Sequence, residues 1–163
     1  MRQQRAGTIA LFGSVGSWHG SPAAGLYCAT KWAISGLAES LRAEVAPFNI
    51  GVSVIEPGYF RTGFLNAGAR VQTEKRIGDY DESAVGEVRA FLDKADNQQP
   101  GKLEAGARVI VDVFSVKRGE EVPMRLVLGS DAREAIGEKC TSTLRYLEEE
   151  REVIDSTDYP KGE

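Results

Sequence analysis

The sequence predicts an α/β fold with a parallel sheet. Three short apolar runs have strand character, stretches of helical periodicity separate them, and Gly- or Pro-containing turns mark the changes. Parallel strands need long crossover connections, which are usually helical.

Thr8-Ile-Ala-Leu-Phe12, closed by Gly13-Ser14, reads as a buried parallel strand. Val15 to Gly25 is rich in Gly, Ser and Pro and reads as a loop. From Leu26 to about Ala46, Ala29, Trp32, Ala33, Gly36, Leu37, Ser40, Leu41 and Val45 recur at helical spacing, and Pro47 and Asn49 end that helix. Val52-Ser-Val-Ile55 is a second buried strand, stopped by Glu56-Pro57-Gly58. Residues 59–100 are less regular. A polar stretch with Asp79, Asp81 and Ser83 leads into a helix over 82–95, and Asn97-Gln-Gln-Pro-Gly101 breaks the chain again. Leu103 to Val116 is an amphipathic helix set between Pro100-Gly101 and Arg118-Gly119. Met124 to Leu128 is the third strand, a last helix runs from about Asp131 to Ile154, and 156–163 form a loose tail.

The 163 residues suit one domain. A net charge of -4 and a pI near 5.2 argue against a nucleic-acid-binding surface. No apolar run is long enough to cross a membrane. The stretch after the basic Met1-Arg-Gln-Gln-Arg5 is too short for a signal-peptide core, which leaves the cytoplasm as the default location. The two cysteines, Cys28 and Cys140, lie far apart, and His19 is the sole histidine. A structural zinc takes about four ligands, so no metal site is expected, and two buried free thiols are.

The chemistry begins with Tyr27-Cys-Ala-Thr-Lys31. Four residues apart near a helix start, Tyr27 and Lys31 share a face. A phenol holds its proton to about pH 10, and a nearby ammonium stabilises the phenolate. Alone, such a pair is most often two surface neighbours that chance has spaced by four. Ser14 stands where the first strand ends, the edge at which open α/β sheets bind ligands. There a hydroxyl can hydrogen-bond a substrate carbonyl, or simply cap a turn. Pro57-Gly58-Tyr59-Phe60-Arg61-Thr62 follows the second strand at the same edge, where backbone can approach a flat ring; it is also an ordinary Pro-Gly turn.

Together these elements resemble the classical short-chain dehydrogenase/reductase family. The likeness rests on Gly13-Ser14 at a strand end, Tyr27-x-x-x-Lys31 thirteen residues on, and Pro57-Gly58-x-x-x-Thr62 after the next strand. Gly7-Thr-Ile, Leu41-Arg-Ala-Glu44, Leu128-Gly-Ser-Asp131 and Ser156-Thr-Asp158 extend it along the chain. The last two look most like a branch of hydroxysteroid-dehydrogenase-like and fungal ketone reductases. The resemblance implies a partial Rossmann-like parallel sheet with flanking helices, and an NAD(P)-dependent oxidoreductase acting on a small hydrophobic alcohol or ketone. It implies Tyr27 as general acid in reduction and base in oxidation, Lys31 holding the nicotinamide ribose and stabilising the phenolate, and Ser14 orienting the substrate oxygen. Pro57, Gly58, Phe60 and Thr62 would border the nicotinamide, residues 63–100 would cover the substrate, and the Leu26–Ala46 helix would help form a homo-oligomer. NADP is favoured over NAD by the resemblance only. Trp18 and His19, in the loop after Ser14, are taken as packing residues.

The same resemblance implies that 1–163 is an incomplete domain, the family's C-terminal half, without the N-terminal βαβ nucleotide-binding half. Gly13-Ser-Val-Gly16-Ser-Trp-His-Gly20 follows a strand, but its spacing is not G-x-G-x-x-G and the next helix starts too late for a phosphate cradle. The first strand is then expected to expose an apolar edge. The alternative function is a non-enzymatic fragment, or a pairing partner that binds no cofactor.

Overall fold

The computed structural model describes residues 1–66, 68–71, 73, 75–117 and 119–159. It has a three-stranded parallel sheet in the order β1-β2-β3, formed by β1 (Gly7–Phe12), β2 (Ile50–Pro57) and β3 (Arg125–Leu128). The register runs from Gly7 opposite Ile50 to Phe12 opposite Ile55, and from Val54 opposite Arg125 to Pro57 opposite Leu128. All three strands therefore end at one edge, at Gly13-Ser14, Gly58 and Gly129.

The helix α1 (Gly25–Val45) connects β1 to β2 and packs on the sheet. The core lies between them: Ala38, Val52 and Val54 are fully buried, with Ile9, Leu11, Ile34, Leu41, Val45 and Met124 against them. Each valine buried this way contributes roughly 1.5–3 kcal/mol relative to an exposed one. The buried side of α1 is thus Cys28, Ser35 and Ala38, continued by Ile34, Leu41 and Val45. This corrects the expected stripe. Ala29, Trp32, Ala33, Gly36, Leu37 and Ser40 form the exposed side, and only Leu41 and Val45 belong to the core. The helix carries two apolar stripes, and periodicity alone cannot say which one meets the sheet.

Pro47 lies in a 3-10 turn over 46–48, and Asn49 takes the left-handed conformation (φ 54°, ψ 40°) that turns the chain into β2. β2 is central and buried along nearly its whole length. β1 is parallel as expected but not buried throughout: Ala10 and Phe12 are exposed, and its outer side has no strand partner among the described residues.

Between β2 and β3 lie α2 (Ala84–Ala95) and α3 (Leu103–Val116). Ser83 caps α2 by accepting from the Val85 N–H at 3.2 Å. The expected last helix is two helices. α4 (Ser130–Glu149) and α5 (Arg151–Asp155) meet at Glu150, whose φ of -100° and ψ of 12° leave the helical region. The expected loose tail lies partly outside the described residues, at 160–163, as does Arg118. Cys28 is buried but Cys140 is exposed on α4, which corrects the expectation of two buried thiols. Among the described residues, no helix is long and apolar enough to cross a membrane.

Candidate functional site

The sheet's carboxyl edge gathers the candidate residues. β1 delivers Ser14 as the N-cap of a 3-10 turn over 15–17. Its hydroxyl accepts from the Gly16 N–H at 3.1 Å, and the Ser17 hydroxyl accepts from the Ser14 N–H at 3.3 Å. A hydroxyl that accepts still has its own proton to donate. The turn leads back to the first residues of α1, where Tyr27 stands 37% exposed. Ser14 and Tyr27 meet across Gly16. A Cβ at that position would lie 3.3 Å from Tyr27 Cε1, 3.5 Å from Cys28 Sγ and 3.6 Å from Ser14 Oγ. The small residue lets the two hydroxyl-bearing side chains approach one point.

One helical turn on, Lys31 places Nζ 5.7 Å from the centroid of the Tyr27 ring and donates to the Phe12 carbonyl at 2.9 Å. An ammonium carries three donors, so this bond fixes the lysine without exhausting it. Ser14, Tyr27 and Lys31 are thus brought together by the end of β1 and the start of α1.

The Pro57–Thr62 segment lines the other side. The Gly58 N–H donates to the Leu128 carbonyl at 2.8 Å, and the Tyr59 N–H to Asp131 Oδ2 at 2.7 Å. A Cβ on Gly58 would fall 2.3 Å from the Asp131 carboxylate oxygens, so with glycine there the Asp131 side chain can lie directly against the strand end. Thr62 caps a 3-10 turn over 63–65, its hydroxyl accepting from the Phe64 N–H at 3.3 Å. Phe60 is directed into the fold: its ring packs on Gly101 and Gly106, where Cβ atoms would come within 2.7 and 2.6 Å of ring carbons. At the sheet's carboxyl edge Phe60 therefore presents backbone.

Sequence reasoning passed over Tyr59, Phe64, Phe91 and Asp131. Phe64 lies 6.0 Å from the Tyr27 ring, and Phe91 meets Tyr59 edge-on at 6.0 Å. Burial pushes the Tyr59 phenol above its ordinary value of 10.0, and the nearby Asp131 carboxylate, Tyr27 and Cys28 add to the rise. Its signal was its place, an aromatic directly after Gly58 at a strand end. Asp131 was visible as an acid in the first turn after β3, where a helix N-terminus favours it.

A nicotinamide ribose fits these residues at one end, since Lys31 retains donors beside Tyr27. The Gly13–Gly20 stretch does not fit a pyrophosphate: the Gly16 N–H is taken by Ser14 Oγ, and the Ser17 N–H by the Ser14 carbonyl at 2.9 Å. Among the described residues, no group of three His, Cys, Asp or Glu side chains is placed to hold a metal ion.

A family model described as short chain dehydrogenase matches residues 1–72. Oxidoreductase BOA17 of Botryotinia fuckeliana is 32% identical over 137 residues, covering 84% of this chain and 48% of that protein. The 3-ketodihydrosphingosine reductase of Bacteroides thetaiotaomicron is 35% identical over 112 residues, covering 68% of this chain and 42% of that protein. A crystal structure of a short-chain dehydrogenase from Streptomyces avermitilis superposes with a TM-score of 0.81 at 34% identity, covering 97% of this chain and 55% of that chain. The chain spans just under half the length of these two curated relatives.

Proposed function

The chain belongs to the short-chain dehydrogenase family, and on that premise we propose that it carries the reactive end of an NAD(P)-dependent oxidoreductase interconverting a hydrophobic secondary alcohol and its ketone. The observation that carries the proposal is the approach of Ser14 and Tyr27 to one point beside Gly16, with Lys31 Nζ 5.7 Å from the phenol ring.

A bound nicotinamide supplies the hydride. In reduction, Ser14 donates a hydrogen bond to the substrate oxygen and holds it at Tyr27, whose hydroxyl gives up its proton as the carbonyl becomes an alcohol. The Lys31 ammonium stabilises the phenolate left behind and hydrogen-bonds the ribose. In oxidation the phenolate takes the alcohol proton back. Pro57, Gly58 and Phe60 would offer backbone to the nicotinamide edge, and Thr62 its hydroxyl. Phe64 and Phe91, from the 63–100 segment, are exposed apolar rings beside Tyr27 and Tyr59, which supports an apolar substrate. The exposed stripe of α1, with Leu26 at 88% and Leu37 at 60%, supports association of two copies through that helix.

The test is turnover of NADPH or NADH with a panel of ketones, on this chain and on a Tyr27→Phe variant. Turnover that falls by about a thousandfold or more in the variant supports the proposal, since general acid–base catalysis contributes about 10²–10⁴. Turnover equal to the parent's overturns it.

A second reading, a chain that pairs with another protein of the family and binds no nucleotide, is favoured by the edge of β1, which has no strand partner among the described residues and leaves Phe12 57% exposed. Under that reading, neither nucleotide raises the melting temperature.

A further inference from the structure

Glu56 stands near the end of β2 with its side chain fully buried. A carboxylate in such a place needs donors around it. Arg125 Nη1 supplies one at 2.5 Å, Trp18 Nε1 one at 2.9 Å and Ser35 Oγ one at 3.4 Å. Arg125 also pairs with Glu39 at 2.7 Å and lays its guanidinium 4.5 Å from the centroid of a Trp18 ring. Trp18 is thereby held twice, its indole N–H by Glu56 and its ring face by Arg125.

Trp18 closes the turn that Ser14 opens. Its backbone N–H donates to the Val15 carbonyl at 3.0 Å, and the Ser17 hydroxyl donates to the Lys31 carbonyl at 3.0 Å. One end of the turn is fixed by β1, and the other by an indole anchored to β2 and β3. Ser14 stands between these two anchors, its hydroxyl accepting from the Gly16 N–H.

We propose that Glu56 is a positioning residue: through the Trp18 indole, and with Arg125 balancing its charge, it sets where Ser14 stands relative to Tyr27. The inference rests on the reading that Ser14, Tyr27 and Lys31 are the reactive group. It adds a part-buried ion pair, Arg125 with Glu56, to the machinery that determines turnover.

Two variants test it. Trp18→Phe keeps a ring and removes the donor, whereas Glu56→Gln keeps an acceptor for the indole. Amide hydrogen exchange at Gly16 and Ser17 reports on the turn whether or not the protein turns over, and steady-state kinetics with a ketone and NADPH or NADH report the consequence. In Trp18→Phe, exchange at Gly16 and Ser17 should quicken about tenfold while Val52 and Val54 hold, and kcat should fall about tenfold with KM within about twofold. In Glu56→Gln both changes should be smaller. Unchanged exchange at Gly16 and Ser17 in Trp18→Phe overturns the clamp. Quickened exchange with unchanged kcat overturns the positioning role. A Tyr27→Phe protein that turns over like its parent sinks the reactive-group reading instead, and the exchange result still decides the clamp.

Discussion

Tyr59 and Tyr27 lie near each other at the sheet's carboxyl edge with different neighbours. Tyr27 has the Lys31 ammonium 5.7 Å from its ring, whereas Tyr59 has the Asp131 carboxylate, whose Oδ2 accepts from its backbone N–H. Burial and that carboxylate keep the Tyr59 phenol neutral above its ordinary value of 10.0. Below pH 10 the residue is uncharged folded and unfolded, so it contributes no pH dependence. As pH rises past 10, the unfolded chain releases the proton first and the folded state loses stability, until Tyr59 ionises in place. Once the pH passes 10, the melting temperature of the parent should therefore fall more steeply than that of Tyr59→Phe. Parallel curves would remove the claim. Of the cleft residues, Tyr27 and Lys31 were legible because a spacing of four on a helix fixes a shared face. Tyr59 and Asp131 were not, because their meeting depends on how β2 and α4 end side by side.

Among the elements, α3 was the most legible, its span coinciding with the expected Leu103–Val116 because Pro100-Gly101 and Arg118-Gly119 mark its boundaries. α1 was misread in orientation for the reason already given, two apolar stripes on one helix. The break at Glu150 left no sequence signal, since no Gly or Pro marks it. Phe60 shows what helix packing adds. Its ring is wedged between Gly101 and Gly106, and so ties the segment after β2 to the start of α3. Glycine inside a helix costs about 1 kcal/mol against alanine, so Gly106→Ala would ordinarily stabilise. Here the new Cβ would meet Phe60 Cε1 at 2.6 Å, with Gly101 blocking retreat. Overpacking costs about 1–3 kcal/mol, so the melting temperature of Gly106→Ala should drop, and adding Phe60→Leu should restore part of the loss. A rise in the single variant would show that the ring has room to move.

At the scale of the whole molecule, parallel order and the common carboxyl edge followed from the alternation of strands and helices. The exposed surface did not. Ala10 and Phe12 on β1, Trp32 and Leu37 on α1 and Leu144, Tyr146 and Leu147 on α4 are all open to solvent. A strand edge with no partner among the described residues, beside apolar side chains, favours association. Sedimentation or light scattering should show an average mass that rises with concentration, and Ala10→Lys should reduce it by placing a charge on the edge. A monomer at all concentrations would mean that these surfaces stay solvated.

The contact between Asp131 and the Gly58-Tyr59 backbone has a mechanical side. α4 leaves the sheet as a rod of twenty residues, about 30 Å at 1.5 Å per residue, with Ala132 buried at its root and an exposed far half. Asp131 lies at the fulcrum. By simple geometry, a tilt about this root displaces the far end, where the chain passes into α5, much more than it displaces Tyr59. A tilt of the helix would therefore reach the Gly58-Tyr59 backbone strongly attenuated, which makes the rod a reducing gear rather than an amplifier.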